Sequence, residues 1–193
     1  MESETVVEAG PQWFALRVRP RSEKAVAEAL RGKGYEDFLP LRRERRRWSD
    51  RVAEVELPLF PGYVFSRFDV RKRLPVLTIP GVMLVVGVAK VPHPIDDREI
   101  EALQILARSR LHMQPWPFLH IGQRVRIIRG PLAGADGILA SVKNQSRLVV
   151  SITLLQRSVA VEVPEDSAWP VSPHDRPVAL LSTGQPHYHP ARS

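Results

Sequence analysis

The sequence predicts an α+β fold: an antiparallel sheet flanked by helices, followed by a small SH3-like β-barrel. Three observations carry this. Apolar runs with period-two alternation are interrupted by two stretches of helical periodicity up to residue 110. The segment Gln114-Pro115-Trp116-Pro117 then breaks the pattern. Beyond it come four short β-branched runs separated by turn residues, at the spacing of a small barrel.

The elements follow in order. Residues 1–11 read as a loose acidic tail. Trp13 to Val18 is apolar enough for a central strand. Ser22 caps a helix to about Lys33, with Glu23 at its positive end and Ala25, Val26, Ala29 and Leu30 as the apolar face. Gly32 and Gly34 offer a stop. Tyr35 to Leu41 is a second strand, the arginine segment after it a turn, and Arg51 to Leu57 an alternating edge strand. The next strand is entered through Pro58, Pro61 and Gly62 and runs to Phe68; the prolines call for a bent entry, because proline removes a ladder donor. Arg71 to Leu77 is a short helix limited by Pro75, and Val82 to Val88 a further strand. Asp96 and Glu99 form a capping box for a helix to about Arg110, with Ile100, Leu103, Leu106 and Ala107 on one face. The first domain thus spans 12–110 and the linker 111–120. The barrel spans 121–171, with strands at Gln123–Ile128, Ile138–Val142, Leu148–Leu154 and Ser158–Val163. Residues 172–193, rich in proline and histidine, read as disordered.

Composition narrows the function. The 193 residues contain no cysteine, which excludes disulfides, thiolate metal sites and a cysteine nucleophile. No window approaches the 18 apolar residues of a membrane span, and Met1-Glu2-Ser3-Glu4 lacks a signal peptide's apolar core, so a cytoplasmic protein is expected. A monomer is expected as well. The net charge is +7, and six arginines and two acids fall within residues 42–51. Arg42, Arg43, Arg45, Arg46, Arg47 and Arg51 around Trp48 suit nucleic acid: guanidinium groups grip phosphate bidentately and the ring stacks on bases.

Catalytic and cofactor readings find little support. The loop Gly130 to Gly137 lacks a P-loop ending and leads into a strand, so its glycines read as devices for positive φ in a tight turn. Asp96, Asp97 and Glu99 sit at a helix start, where capping explains them. The pair His187 and His189 could hold a metal only weakly in a solvated tail, and no nucleophile elbow is present. No catalytic residue, metal or cofactor is expected.

Together Trp13-Phe14-Ala15-Leu16, Pro58-Leu59-Phe60-Pro61-Gly62-Tyr63-Val64-Phe65, Ile79-Pro80-Gly81-Val82 and Ile95 to Ile100 resemble the N-terminal domain of NusG-type transcription elongation factors. Ile121 to Ile127 with Gly130 to Ile138 resembles the KOW motif that follows it. The resemblance implies binding to the clamp helices of the RNA polymerase largest subunit, with reduced pausing or termination. It places Trp13, Phe60, Pro61, Tyr63, Ile79 and Val82 at the polymerase-binding depression. It sets the arginine segment toward upstream or non-template DNA. It also implies a barrel that recruits a ribosomal protein or the Rho factor, here through Leu132, Ala133 and Ile152. Ser151 to Glu162 looks more like the specialised paralogues that act on polysaccharide operons. A KOW-type RNA-binding protein of the ribosome or of an RNA-processing complex is the alternative.

Overall fold

A computed structural model describes residues 10–47, 52–109, 111–116, 123–142, 145–164 and 167–171. The first domain is built on a four-stranded antiparallel sheet in the order β2-β5-β1-β6. Its strands are β1 (Gln12–Val18), β2 (Glu36–Phe38), β5 (Tyr63–Phe68) and β6 (Val82–Val85). Every residue of β1 from Trp13 to Leu16 is buried, so this strand is covered on both faces. Its alternation sends Phe14, Leu16 and Val18 to one core and Trp13 and Ala15 to another.

Helix α1 (Glu23–Gly32) covers the first of these faces with Val26, Ala27 and Leu30, together with Val76 from the short α2 (Leu74–Leu77). The buried set of α1 is Glu23, Val26, Ala27 and Leu30, one helical stripe. Ala25, expected on that stripe, is exposed instead. Ser22 occupies the cap position without a side-chain cap bond. Its hydroxyl lies 3.3 Å from where a Cβ on Gly81 would stand. Pro75 stands in the first turn of α2, where its missing N–H costs nothing, rather than at its end.

On the opposite face lies α3 (Asp97–Ser109), with Ile100, Leu103 and Leu106 buried. Aromatic packing locks that side. Phe65 stacks on Phe38 with centroids 6.1 Å apart and meets Phe60 edge-on at 5.6 Å.

Three expectations are corrected. The arginine segment is not a turn but a strand, β3 (Leu41–Arg47), paired with β4 (Val52–Pro58) in its own two-stranded sheet. The run Val82 to Val88 is split: β6 ends at Val85, and β7 (Gly87–Val88) pairs with β8 (Val91–Pro92). This tight hairpin requires glycine at position 87, since a Cβ there would lie 1.8 Å from the Val91 carbonyl oxygen. The supposed linker contributes β9 (Gln114–Trp116), which pairs with a barrel strand.

The second sheet has the order β14-β10-β11-β12-β13-β9. It is formed by β10 (Gln123–Ile127), β11 (Asp136–Val142), β12 (Gln145–Ile152), β13 (Arg157–Glu162) and β14 (Ala168–Pro170). The glycines of its first loop divide their work. Gly130 and Gly134 take φ of +80 and +89, whereas Gly137 is there because no side chain fits. A Cβ on Gly137 would stand 2.6 Å from the Val149 carbonyl oxygen and 2.8 Å from Leu148 Cδ1. Gly137→Ala is therefore expected to lower stability by about 1–3 kcal/mol through overpacking. Chemical denaturation would measure it, and an unchanged midpoint would contradict this packing.

Candidate functional site

The sheet decides which of the aromatic residues can act together. Tyr63 and Phe65 of β5 fall on the same face as Trp13 and Ala15 of β1, and Phe60 joins them from the turn before β5. Trp13 is 4% exposed and Phe60 1%, while Tyr63 is half-buried and Pro61 exposed. Ile79 and Val82 do not join this group. They pack with Phe14, Leu16 and Val26 on the α1 side of the sheet. Trp13, Phe60 and Tyr63 therefore lie on one side of the sheet and Ile79 and Val82 on the other. Strand alternation sets Trp13 and Tyr63 against Val82, while Phe60 and Ile79 are placed by the turns before β5 and β6.

The Trp13–Phe60–Tyr63 face is not open. Its core continues without a break into the barrel, through Val125, Leu132, Ile152 and Val159. Helix α3 packs on β1 on one side and on β11 and β12 on the other. Three contacts fix the two parts. The Glu99 carboxylate accepts hydrogen bonds from the Thr153 hydroxyl at 2.6 Å and from the Thr153 N–H at 3.2 Å. The Arg157 guanidinium lies 5.2 Å from the centroid of the Tyr63 ring, and Arg17 lies 4.8 Å from the same ring. Ile105 Cδ1 stands 3.6 Å from where a Cβ on Gly134 would be.

Glu99 corrects the capping-box expectation. Asp96 does cap α3, accepting the Arg98 N–H at 2.9 Å, but Glu99 reaches across to the barrel instead of back to Asp96. Burial pushes the Glu99 carboxyl above its ordinary value. The Thr153 hydrogen bonds oppose that shift, nearby Asp96 adds to it, and Arg124 works against it.

The arginine hairpin is less basic in space than in sequence. Its register sets Arg43 opposite Glu56 and Arg45 opposite Glu54, and Arg42 bonds Glu44 at 2.6 Å. Arg43 and Arg45 remain exposed. Arg42, Arg43, Arg45, Arg108 and His112 line a groove of about 880 Å³ between the hairpin and the end of α3. Trp48 and Arg51 lie outside the described residues, as do the side chains of Arg46 and Arg47. Of the three residues expected to meet a barrel partner, Leu132 and Ile152 are buried in the shared core and only Ala133 is exposed.

Sequence reasoning missed Arg157 and Thr153, the true partner of Glu99, both of which act across the two parts of the chain. A glutamate three residues after a helix cap signals its own helix, and nothing local points to a distant threonine. It also missed β14, whose Trp169 is 65% exposed.

Comparison with known proteins agrees with this architecture. The profile of the family described as "Transcription termination factor nusG" matches residues 11–104. The transcription termination/antitermination protein NusG of Pseudomonas aeruginosa is 32% identical over 133 residues, covering 66% of this chain and 72% of that protein. NusG of Haemophilus influenzae is 27% identical, covering 84% of this chain and 95% of that one. Among solved structures, one titled "Domain interaction in Thermotoga maritima NusG" superposes with a TM-score of 0.50 at 21% identity, over 84% of this chain and 98% of that one. On the strength of the sequence matches, this chain belongs to the NusG family of transcription termination/antitermination proteins.

Proposed function

We propose that this protein is an elongation and antitermination factor that binds the clamp helices of the RNA polymerase largest subunit through its Trp13–Phe60–Tyr63 face. The observation that carries the reading is the convergence of these three aromatic side chains on one face of a rigid sheet. Such a face suits amphipathic helices, which bury an apolar stripe against aromatic anchors. The arginine hairpin, with Arg43 and Arg45 exposed, would lie against upstream or non-template DNA. The barrel would recruit a ribosomal protein or Rho.

The docked barrel has a consequence for this activity. Its Arg157 lies over Tyr63 at the edge of the face that the clamp helices would take, so polymerase binding there requires the barrel to move away from that ring. Apparent affinity then falls by the fraction of molecules that are open. Phe60 is a poor probe, because its loss leaves Phe65 without an edge-on partner in the core. Tyr63 is half-buried and better suited. Tyr63→Glu is expected to weaken binding to a clamp-helix fragment at least about tenfold, or about 1.4 kcal/mol, with the fold retained. Equal affinity in titration calorimetry would overturn the reading.

Glu99 makes docking depend on pH. Its carboxyl is raised by burial, and with the barrel taken as the source of that burial the docked state holds the proton more tightly than an undocked one. Docking is therefore weakest at neutral pH. It strengthens as pH falls through the raised value toward the ordinary carboxylate value of 4.5, and levels off below it. Donor–acceptor fluorescence transfer between the two parts should follow this course, and Glu99→Gln should flatten it. A pH-independent wild-type signal would contradict the assignment.

The hairpin has its own test. Replacing Arg43 and Arg45 together by alanine is expected to reduce the slope of log affinity for DNA against log salt by about two. An unaltered slope would return these residues to a solvating role.

A further inference from the structure

The buried carboxylate of Glu23 has no part in the function proposed so far. It is 6% exposed at the start of α1, and it accepts the backbone N–H of Gly62 at 2.8 Å. Burying a carboxylate is costly, and an apolar residue here would extend the stripe of Val26 and Leu30. What the carboxylate does instead is hold one backbone position. Gly62 has φ of +82, a conformation open to glycine, and its carbonyl accepts the Val18 N–H at 2.9 Å. Both polar groups of Gly62 are thus tied to other elements, one to α1 and one to β1. The Arg17 guanidinium closes over the same residue. Its NH1 lies 3.3 Å from where a Cβ on Gly62 would be, and its centre lies 4.8 Å from the Tyr63 ring.

From this geometry we infer that Glu23 is a positioning residue for the binding face: by holding the Gly62 amide from beneath the sheet, it fixes the turn that presents Phe60 and Tyr63. This rests on the polymerase-binding reading. A turn fixed in advance lowers the ordering cost of association, whereas a loose one must be ordered each time. The hydrogen bond from Gly62 needs an acceptor at position 23, not a charge, so glutamine can replace glutamate while alanine or leucine cannot.

The test compares Glu23→Gln, Glu23→Ala and Tyr63→Glu in the full chain. Affinity for a clamp-helix fragment is read alongside hydrogen exchange at individual amides. Glu23→Ala is expected to weaken binding about tenfold. It should speed exchange at Gly62 and Tyr63, with exchange in α3 and the barrel unchanged. Glu23→Gln should stay within about twofold of the wild type. If Tyr63→Glu loses binding while Glu23→Ala keeps it, the positioning role is overturned and the binding face stands. If Glu23→Ala loses protection throughout the domain and glutamine fails to restore binding, Glu23 is a general stability residue and the inference is overturned. If Tyr63→Glu binds normally, the polymerase reading itself has failed.

Discussion

The burial of β1 on both faces is the constraint on which the rest of the structure depends. Five of its seven residues serve two cores: Phe14, Leu16 and Val18 hold α1 and α2, and Trp13 and Ala15 face α3 and the core it shares with the barrel. A one-residue slip of this strand would exchange the two sets. The register against β5 from Gln12–Phe68 to Arg17–Tyr63 therefore also determines which aromatic residues share the proposed binding face. Packing and the proposed binding surface are set by the same alternation.

The second consequence is that, on the proposed reading, one apolar surface has two uses. Hydrophobic burial is non-directional, so a face able to accept helices will accept any surface of suitable shape. In this molecule α3 packs on it, and the barrel packs on α3 and reaches Tyr63 through Arg157. The polar contacts at the rim, Glu99 with Thr153 and Arg157 with Tyr63, specify how it sits. They are few and partly solvated, which suits a contact that must come apart, because exposed polar pairs contribute little net stability. The barrel stays joined to the first domain through the segment that carries β9, so its local concentration at the face is high even if the contact is weak.

Much of the fold was legible in the sequence. Strands β1 and β5 and helices α1 and α3 carry periodicity strong enough to be read directly. What escaped was set by partners distant in the chain. The arginines of β3 read as a basic turn because Glu54 and Glu56 face Arg45 and Arg43 only once the hairpin forms. The Pro-Trp-Pro break looked like a linker, yet the backbone at Gln114–Trp116 serves as an edge strand beside β13, where proline is tolerated. At the site, the resemblance grouped Ile79 and Val82 with Trp13 by their place along the chain, and the fold sets both on the α1 side of the sheet instead. Glu99 and Glu23 both read as helix-start residues. Their real partners, Thr153 and Gly62, lie 54 and 39 residues away.

The central claim is that the face around Tyr63 serves the barrel and RNA polymerase in turn. The most direct measurement places a photo-reactive benzoylphenylalanine at position 63 and irradiates the protein alone and on transcription elongation complexes. The account predicts an intramolecular crosslink to the barrel in the free protein. On the elongation complex, a crosslink to the clamp helices of the largest subunit should replace it. A barrel crosslink that persists at full strength while the protein is bound to polymerase would contradict it.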